Sequence, residues 1–113
     1  MKHDAFINHI FDAITAIEEF TQGVSYEEFV ENIEKHSAVI RQFEIIGEAV
    51  NQLEKSFEEK NKSLKDFNIP IEAIVEMRNI LIHEYFGVDL ELVWDTIKED
   101  LPNLKKQLRT LTE

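Results

Sequence analysis

Arg78 and His83 are the two side chains of the sequence whose positions could support chemistry. On a helical wheel of about 100° per residue, Arg78 lies in the middle of an apolar stripe. Five aliphatic residues fall within about 60° on either side of it: Ile71, Ile74, Val75, Leu81 and Ile82. An unpaired buried guanidinium is strongly unfavourable. We therefore expect Arg78 to form an ion pair, for instance with Glu44 or Glu48, to line a cleft, or to face a subunit boundary.

His83 lies about 140° from Arg78 on this wheel and shares an edge of the helix with Asn79. In a regular helix, Arg78 and His83 cannot both face one small ligand in the middle of one groove. Two arrangements would bring them together: the helix loosens near Gly87, or it meets its own copy across a two-fold axis, so that each motif completes the other. The same contact would cover two apolar residues on the outer side of the helix, Met77 and Ile80. Otherwise His83 is a surface histidine.

The sequence indicates neither a metal site nor a nucleotide-binding loop. Carboxylate-bridged helical bundles use Glu-x-x-His pairs, but an apolar residue stands three positions before each of His9, His36 and His83. His83 also lacks the second histidine of a zinc-protease motif, and no glycine-rich phosphate loop is present. We expect no metal and no bound nucleotide cofactor, and we interpret His3, His9 and His36 as surface or structural residues.

The apolar periodicity predicts an all-α, up-and-down bundle of four to five helices. The first helix covers roughly residues 4–22, and Gly23 is its C-terminal cap. Ser25 and Glu28 have the spacing of a capping box, which predicts a short helical turn. These signals place two elements before the long central helix.

The long central helix is predicted from about residue 32 to residue 53, with Gly47 inside it. Glycine in a helix interior costs about 1 kcal/mol relative to alanine, so we infer that a neighbouring helix approaches closely at Gly47. The polar stretch 56–68 has weak periodicity and is predicted to be a connection.

The motif-bearing helix is predicted to begin at Ile69 and Pro70, because proline suits the first turn of a helix. It runs to about residue 86 and ends at Gly87. Asp89 then caps the last helix, which Pro102 kinks or restarts.

The composition predicts one acidic helical domain over residues 1–113. The 113 residues carry a net charge of −11 and have a pI near 4.7, with no cysteine. The N-terminus is polar where a signal peptide would be apolar, and no stretch approaches the roughly 18 apolar residues of a membrane span, so we expect a cytoplasmic protein. The acidic charge opposes non-specific binding of nucleic acid, so an anion site would be local and would lie in the less acidic second half.

Residues 78–85, RNILIHEY, resemble the Arg-x4-His-x-Tyr motif of HepT-like proteins, a branch of the HEPN superfamily of helical ribonucleases. The similarity extends to residues 41–50, RQFEIIGEAV, and covers about residues 5–110. It includes several residues that flank the motif: Ile69, Pro70, Phe86, Gly87, Val88, Asp89, Trp94, Leu101 and Pro102. Ile71 departs from the pattern, since many relatives carry an aromatic residue there, and we expect this to alter packing rather than chemistry.

The resemblance implies a homodimeric toxin that cleaves RNA without a metal, with the two motif-bearing helices meeting at the interface. His83 would act as general base or acid on the ribose 2′-hydroxyl or the leaving 5′-oxygen. Arg78 would hold the scissile phosphate, and Asn79 would orient the imidazole or the phosphate. Glu44 and Glu48 would be supporting polar residues. The product would carry a 2′,3′-cyclic phosphate.

Tyr85 has a separate implied role as the site that a partner minimal nucleotidyltransferase modifies with AMP from ATP, which silences the toxin of a type VII toxin–antitoxin system. Without the resemblance, Tyr85 would be interpreted as a core tyrosine. Because the chain is acidic, an unpaired loop or end of one RNA, such as tRNA, is the easier substrate, with Lys62 and Lys65 adding positive charge. The alternative hypothesis is a non-catalytic HEPN module that docks a nucleotidyltransferase and presents substrate or nucleotide.

Overall fold

The structure is a computed structural model that describes residues 2–60, 62–63, 68–83 and 89–112. Side chains are described for residues 5–60, 62–63, 68–81 and 89–110. Six α-helices make up most of these residues. The helices are α1 (Lys2–Thr21), α2 (Tyr26–Glu31), α3 (Ile33–Glu58), α4 (Ile71–His83), α5 (Leu90–Asp95) and α6 (Leu101–Thr112). A π-helical turn, Thr96–Asp100, joins α5 to α6 in one helical segment. The described residues contain no strand, and the predicted all-α bundle is confirmed.

Local capping contacts fix the first helix boundaries. Gly23 has φ +71°, the left-handed conformation that ends a helix, and α1 stops at Thr21. The backbone N–H of Glu28 donates to the Ser25 hydroxyl at 3.1 Å, and this hydroxyl donates to the Glu28 carboxylate at 3.1 Å. The box therefore closes through the Ser25 hydroxyl. The Asn32 side chain caps α3 by accepting from the N–H of Lys35.

The predicted end of the central helix is wrong by more than one turn. Helix α3 continues to Glu58, so the first residues of the stretch predicted as a connection are helical. The reason is Phe57, which is only 7% exposed and lies four residues after the fully buried Leu53. One aromatic residue at this spacing extends the apolar stripe, although its neighbours are polar.

The last helical segment is irregular where Pro102 predicts it. The N–H of Leu92 donates to the Asp89 carboxylate at 3.1 Å, which confirms Asp89 as the N-cap. In the π-helical turn, the N–H of Leu101 donates to the carbonyl of Thr96. Proline has no N–H and its ring clashes with the carbonyl four residues earlier, so the irregularity falls in the turn before Pro102.

The core lies between α1 and α3, and α4 packs on α3 while α6 packs on α1. The largest fully buried side chains come from all these helices and from α2: Phe29, Phe43, Ile7, Ile10, Ile14, Ile17, Ile46, Leu53, Ile74, Leu101 and Leu104. Helix α3 contacts both α1 and α4, so it is the element on which α4 and its motif are positioned. Within the described residues, no helix has the length and apolar character needed to cross a membrane.

Trp94 joins α2 to the C-terminal helical segment. Its ring lies 5.1 Å from the ring of Phe29 and 5.9 Å from that of Tyr26, measured between centroids. The Lys98 ammonium lies 4.5 Å from the centre of the Trp94 ring, a cation–π contact. These contacts show that Trp94 packs the C-terminal helical segment against α2.

Candidate active site

Helix α4 buries a face whose centre is displaced from Arg78. Its buried side chains are Ile71, Ile74, Met77 and Leu81. On the wheel, their mean direction lies about 45° from Arg78, which therefore stands at the edge of the buried face. The expectation that Met77 is exposed in the single chain and is covered only by a second copy is wrong, because Met77 is 3% exposed within the single chain. Ile80 is half-buried.

Arg78 forms an ion pair with α3, as the sequence predicts. Its Nη2 atom donates to Oε2 of Glu48 at 3.0 Å, and the Arg78 side chain keeps 24% of its surface exposed. Of the two expected carboxylates, Glu48 is the partner. Glu44 pairs instead with Arg41, one turn earlier on its own helix, at 3.2 Å. Among the described contacts, the bond to Glu48 uses one of the five N–H donors of the guanidinium, so donors remain for an anion.

The predicted close approach at Gly47 is confirmed, and its cause is the Arg78 side chain. A β-carbon built on Gly47 would lie 2.6 Å from the β-carbon and 2.8 Å from the γ-carbon of Arg78, and closer still to the δ-carbon. Such distances leave no room for a methyl group. The bare backbone at Gly47 therefore provides the surface over which Arg78 reaches Glu48, the next residue of α3.

Glu48 connects Arg78 to a second polar side chain. While its Oε2 accepts from Arg78, its Oε1 accepts from the Gln52 amide at 3.2 Å. Both carboxylate oxygens are thus engaged by donors, which holds the carboxylate in place although the Glu48 side chain is 55% exposed. The result is a polar row from α4 along one turn of α3.

An open groove of about 250 Å³ lies between α1 and α3, and Glu48 forms part of its wall. Its lining is apolar below and polar at the rim: Phe6, His9, Arg41, Glu44, Ile45, Glu48, Ala49 and Gln52. The sequence reasoning missed this groove. The available signal was Phe6 and Ile45, two large apolar residues that lie next to the core stripes of their helices and are half-buried.

The histidines interpreted as structural or surface residues fit that interpretation where they are described. The Nδ1–H of His36 donates to the carbonyl of Phe29 at 3.1 Å, and its ring meets that of Phe29 edge-on. His9 is exposed at the rim of the groove. His3 is helical, but its side chain lies outside the described residues.

The other predicted site residues are only partly within the described structure. Asn79 is described and its side chain is exposed on α4. The structure describes the backbone of His83, the last residue of α4, but not its side chain. Tyr85, Gly87 and Lys65 lie outside the described residues. Lys62 is exposed. The joint placement of Arg78 and His83 stays a prediction.

The chain matches a known family over nearly all of its length. The family described as "Ribonuclease HepT-like" matches residues 10–111. A Methanocaldococcus jannaschii protein named as a candidate RNase is 42% identical over 104 residues, which cover 92% of this chain and 91% of the relative. A Thermococcus cleftensis protein named "Probable ribonuclease HepT" is 39% identical over 110 residues, 97% of this chain and 96% of the relative.

A third relative is longer than the region it shares with this chain. It is a Methanocaldococcus jannaschii protein named as a gamma-glutamylcyclotransferase and candidate RNase, 42% identical over 108 residues. The match covers 96% of this chain but 46% of that relative, so the chain spans about half of its length. No solved structure matches the chain.

Proposed function

The chain belongs to the HepT-like ribonuclease family, and on this premise we propose that it is a metal-independent endoribonuclease, the toxin of a type VII toxin–antitoxin pair. The observation that carries the proposal is the placement of Arg78. An arginine that packs over Gly47, pairs with Glu48 and keeps part of its guanidinium exposed is suited to hold an external anion. A purely structural ion pair would not require Asn79 and His83 to accompany Arg78 in one sequence motif.

The proposed reaction is attack of the ribose 2′-hydroxyl on the adjacent phosphate. Arg78 binds two phosphate oxygens and stabilises the charge that builds up on the pentacoordinate phosphorus. His83 removes the proton of the 2′-hydroxyl as the 2′-oxygen bonds to phosphorus, and the bond to the 5′-oxygen breaks. A protonated imidazole returns a proton to that leaving oxygen. The products are a 2′,3′-cyclic phosphate and a 5′-hydroxyl, with Asn79 orienting the imidazole or the phosphate.

The proposed active form is a homodimer in which two α4 helices face each other. The spacing of about 140° between Arg78 and His83 separates them on one helix, whereas two antiparallel copies can bring Arg78 of one chain to His83 of the other. Each of the two sites would then contain one Arg78 and one His83, whose imidazole takes the 2′-hydroxyl proton and returns it to the leaving oxygen. The exposed Asn79 and the partly exposed Arg78 lie on the side of α4 that remains available for this contact.

Charge restricts the proposed substrate. The net charge of −11 repels a phosphate backbone, and Glu48 already partly neutralises Arg78. An RNA phosphate must share or take over this guanidinium, so binding should be weak and should weaken further with salt. An unpaired loop or end of a folded RNA such as tRNA exposes few phosphates, and its bases are splayed outward. Such an RNA therefore suits this acidic protein better than a duplex.

The proposed regulator is a cognate minimal nucleotidyltransferase that transfers AMP from ATP to Tyr85. One residue, Glu84, separates His83 from Tyr85 in the sequence, so an added nucleotide would bring negative charge and bulk to the motif. It would compete with RNA for Arg78. Mass spectrometry after incubation with the nucleotidyltransferase and ATP tests this step, because the wild-type chain should gain one AMP and Tyr85→Phe none.

Cleavage of RNA by the purified chain tests the proposal. The wild type should cleave tRNA in the presence of EDTA, and Arg78→Ala and His83→Ala should each lose at least a hundredfold in rate. Arg109→Ala is the matched control, because it removes the same charge from α6 and should cleave like the wild type. Equal rates for all four proteins would refute the assignment. Binding of the nucleotidyltransferase without any cleavage would indicate the non-catalytic module instead.

A further inference from the structure

The groove between α1 and α3 has Glu48, the ion-pair partner of Arg78, in its wall. We propose that it holds one unpaired nucleobase of the bound RNA, adjacent to the phosphate at Arg78; its relation to that phosphate rests on the proposed function. The groove is formed by half-buried Phe6 and Ile45, buried Ala49 and a polar rim. None of the described side chains of the motif, residues 78–81, lines it.

The size and the apolar surfaces of the groove suit a flat ring. Its volume of about 250 Å³ lies below the roughly 300–1,000 Å³ of pockets for drug-sized ligands. Phe6 offers an aromatic side chain on one wall, and Ile45 offers an aliphatic one. Stacking on aromatic side chains is the usual way in which proteins hold unpaired bases, and it accepts every base because each has a π-face.

The charges of the groove cancel within the protein. Arg41 pairs with Glu44 at 3.2 Å, and Glu48 pairs with Arg78 at 3.0 Å. In the free protein, the described lining therefore presents no carboxylate without a cationic partner, and its other polar residues are His9 and Gln52. It offers neutral hydrogen-bonding groups instead, since the Gln52 amide donates to Glu48 and keeps its carbonyl oxygen as an acceptor for a ligand. An uncharged heterocycle is the part of a nucleotide that fits this environment.

Glu48 makes the groove continuous with the anion site. One oxygen of its carboxylate binds Arg78 and the other binds Gln52, which also lines the groove. Glu48 thus contacts the guanidinium and lines the groove, so one side chain links the two. A phosphate at Arg78 would direct a neighbouring base toward Phe6.

A binding experiment on RNA that cannot be cleaved tests the proposal directly. A fluorescent 2′-O-methyl hexanucleotide has no 2′-hydroxyl to attack, and one abasic residue is placed at each position in turn. For the wild type, an abasic residue at one position should weaken binding roughly tenfold or more, as expected for loss of a stacked base. Phe6→Ala should bind the intact and the abasic oligonucleotides equally, because the stacking surface is gone.

Phe11→Ala is the matched control, because Phe11 lies on the same helix, is also half-buried and does not line the groove. It should show the wild-type dependence on the abasic position. Ile45→Trp, which adds bulk at the groove wall, should also lose that dependence. Each variant is included in the comparison only if thermal melting shows that it is folded at the assay temperature.

The possible results separate this proposal from the nuclease assignment. If the wild type cleaves RNA but no abasic position matters, or if Phe6→Ala keeps the penalty, the base site is wrong and the nuclease stands. If binding depends on a base and on Phe6 without any cleavage, the base site stands and the nuclease is wrong. If light scattering shows that Phe6→Ala dissociates a dimer, a second copy fills the groove and the base site is wrong.

Discussion

The side chain of Arg78 lies across the backbone of Gly47, so close that a β-carbon there would stand 2.6 Å from the β-carbon of Arg78. This contact directs the guanidinium to Glu48, the residue after the glycine, with which it forms a 3.0 Å ion pair. The glycine and the carboxylate are consecutive residues of one helix, so α3 both makes room for the arginine and binds it. The position of the candidate anion site is therefore set by packing.

Gly47→Ala should destabilise the protein by about 1–3 kcal/mol, because the new methyl group overlaps the Arg78 side chain. In an open helix the same change would stabilise by about 1 kcal/mol, so the sign of the effect is diagnostic. Urea denaturation measures it. The cost should shrink in an Arg78→Ala background, which removes the γ- and δ-carbons from the contact. A stabilised Gly47→Ala variant would contradict the contact.

Glu48→Gln should bind RNA more tightly, by up to about fivefold, since a half-exposed ion pair that competes with phosphate is worth no more than about 1 kcal/mol. Arg78 stays in place without the Glu48 carboxylate, because its side chain packs over Gly47. Fluorescence anisotropy with a 2′-O-methyl oligonucleotide at low salt measures the affinity.

Glu58→Gln is the control for that change, because it removes the same charge from the same helix at an exposed residue that does not line the groove. Its affinity for RNA should stay within about twofold of the wild type, as for other surface charge changes. If Glu48→Gln instead weakened binding as much as Arg78→Ala, the carboxylate would be required to hold the guanidinium.

Tyr26 should ionise above the ordinary phenol pKa of 10.0. Partial burial raises the pKa of Tyr26 first, and the nearby carboxylates of Glu91, Asp89, Asp95 and Glu27 raise it further, since both effects disfavour the phenolate. Its contribution to stability is therefore fully present below pH 10 and is lost as the pH rises through the folded-state pKa. Ultraviolet titration of the Tyr85→Phe variant, which leaves Tyr26 as the single tyrosine, should show this midpoint.

Glu91→Gln should move the Tyr26 midpoint back toward 10, and Glu34→Gln, a change on α3, should leave it where it was. A midpoint at or below 10 in the Tyr85→Phe protein would mean that Tyr26 is exposed and distant from these carboxylates.

The site features that the sequence could predict depend on single residues whose type occurs at such a position for only a few structural reasons. A glycine inside a helix indicates a close neighbour, and an arginine within an apolar stripe must pair, line a cleft or face a subunit boundary, so the close approach at Gly47 and an ion pair with Glu44 or Glu48 are both expected from local rules. Caps at Ser25 and Asp89 follow for the same reason. The two caps are independent of how the helices cross, whereas the choice of Glu48 over Glu44 depends on the crossing of α3 and α4.

The features that the sequence could not predict depend on the distance and rotation between helices. The burial of Met77 required knowing that α4 turns its core face about 45° away from Arg78. The extension of α3 depended on whether Phe57 reaches the core. The groove exists because α1 and α3 leave a gap above Ala49, and no residue pattern within either helix specifies such a gap.

Subunit mixing tests the central claim most directly. If Arg78 of one chain works with His83 of its partner, inactive Arg78→Ala and inactive His83→Ala proteins, unfolded together and refolded, should regain up to about a quarter of the wild-type rate, because half of randomly formed dimers are mixed and each mixed dimer contains one intact site. Cleavage that appears only in the mixture is the predicted result. Full activity of either variant alone, or no activity in the mixture when native mass spectrometry shows mixed dimers, would contradict the account.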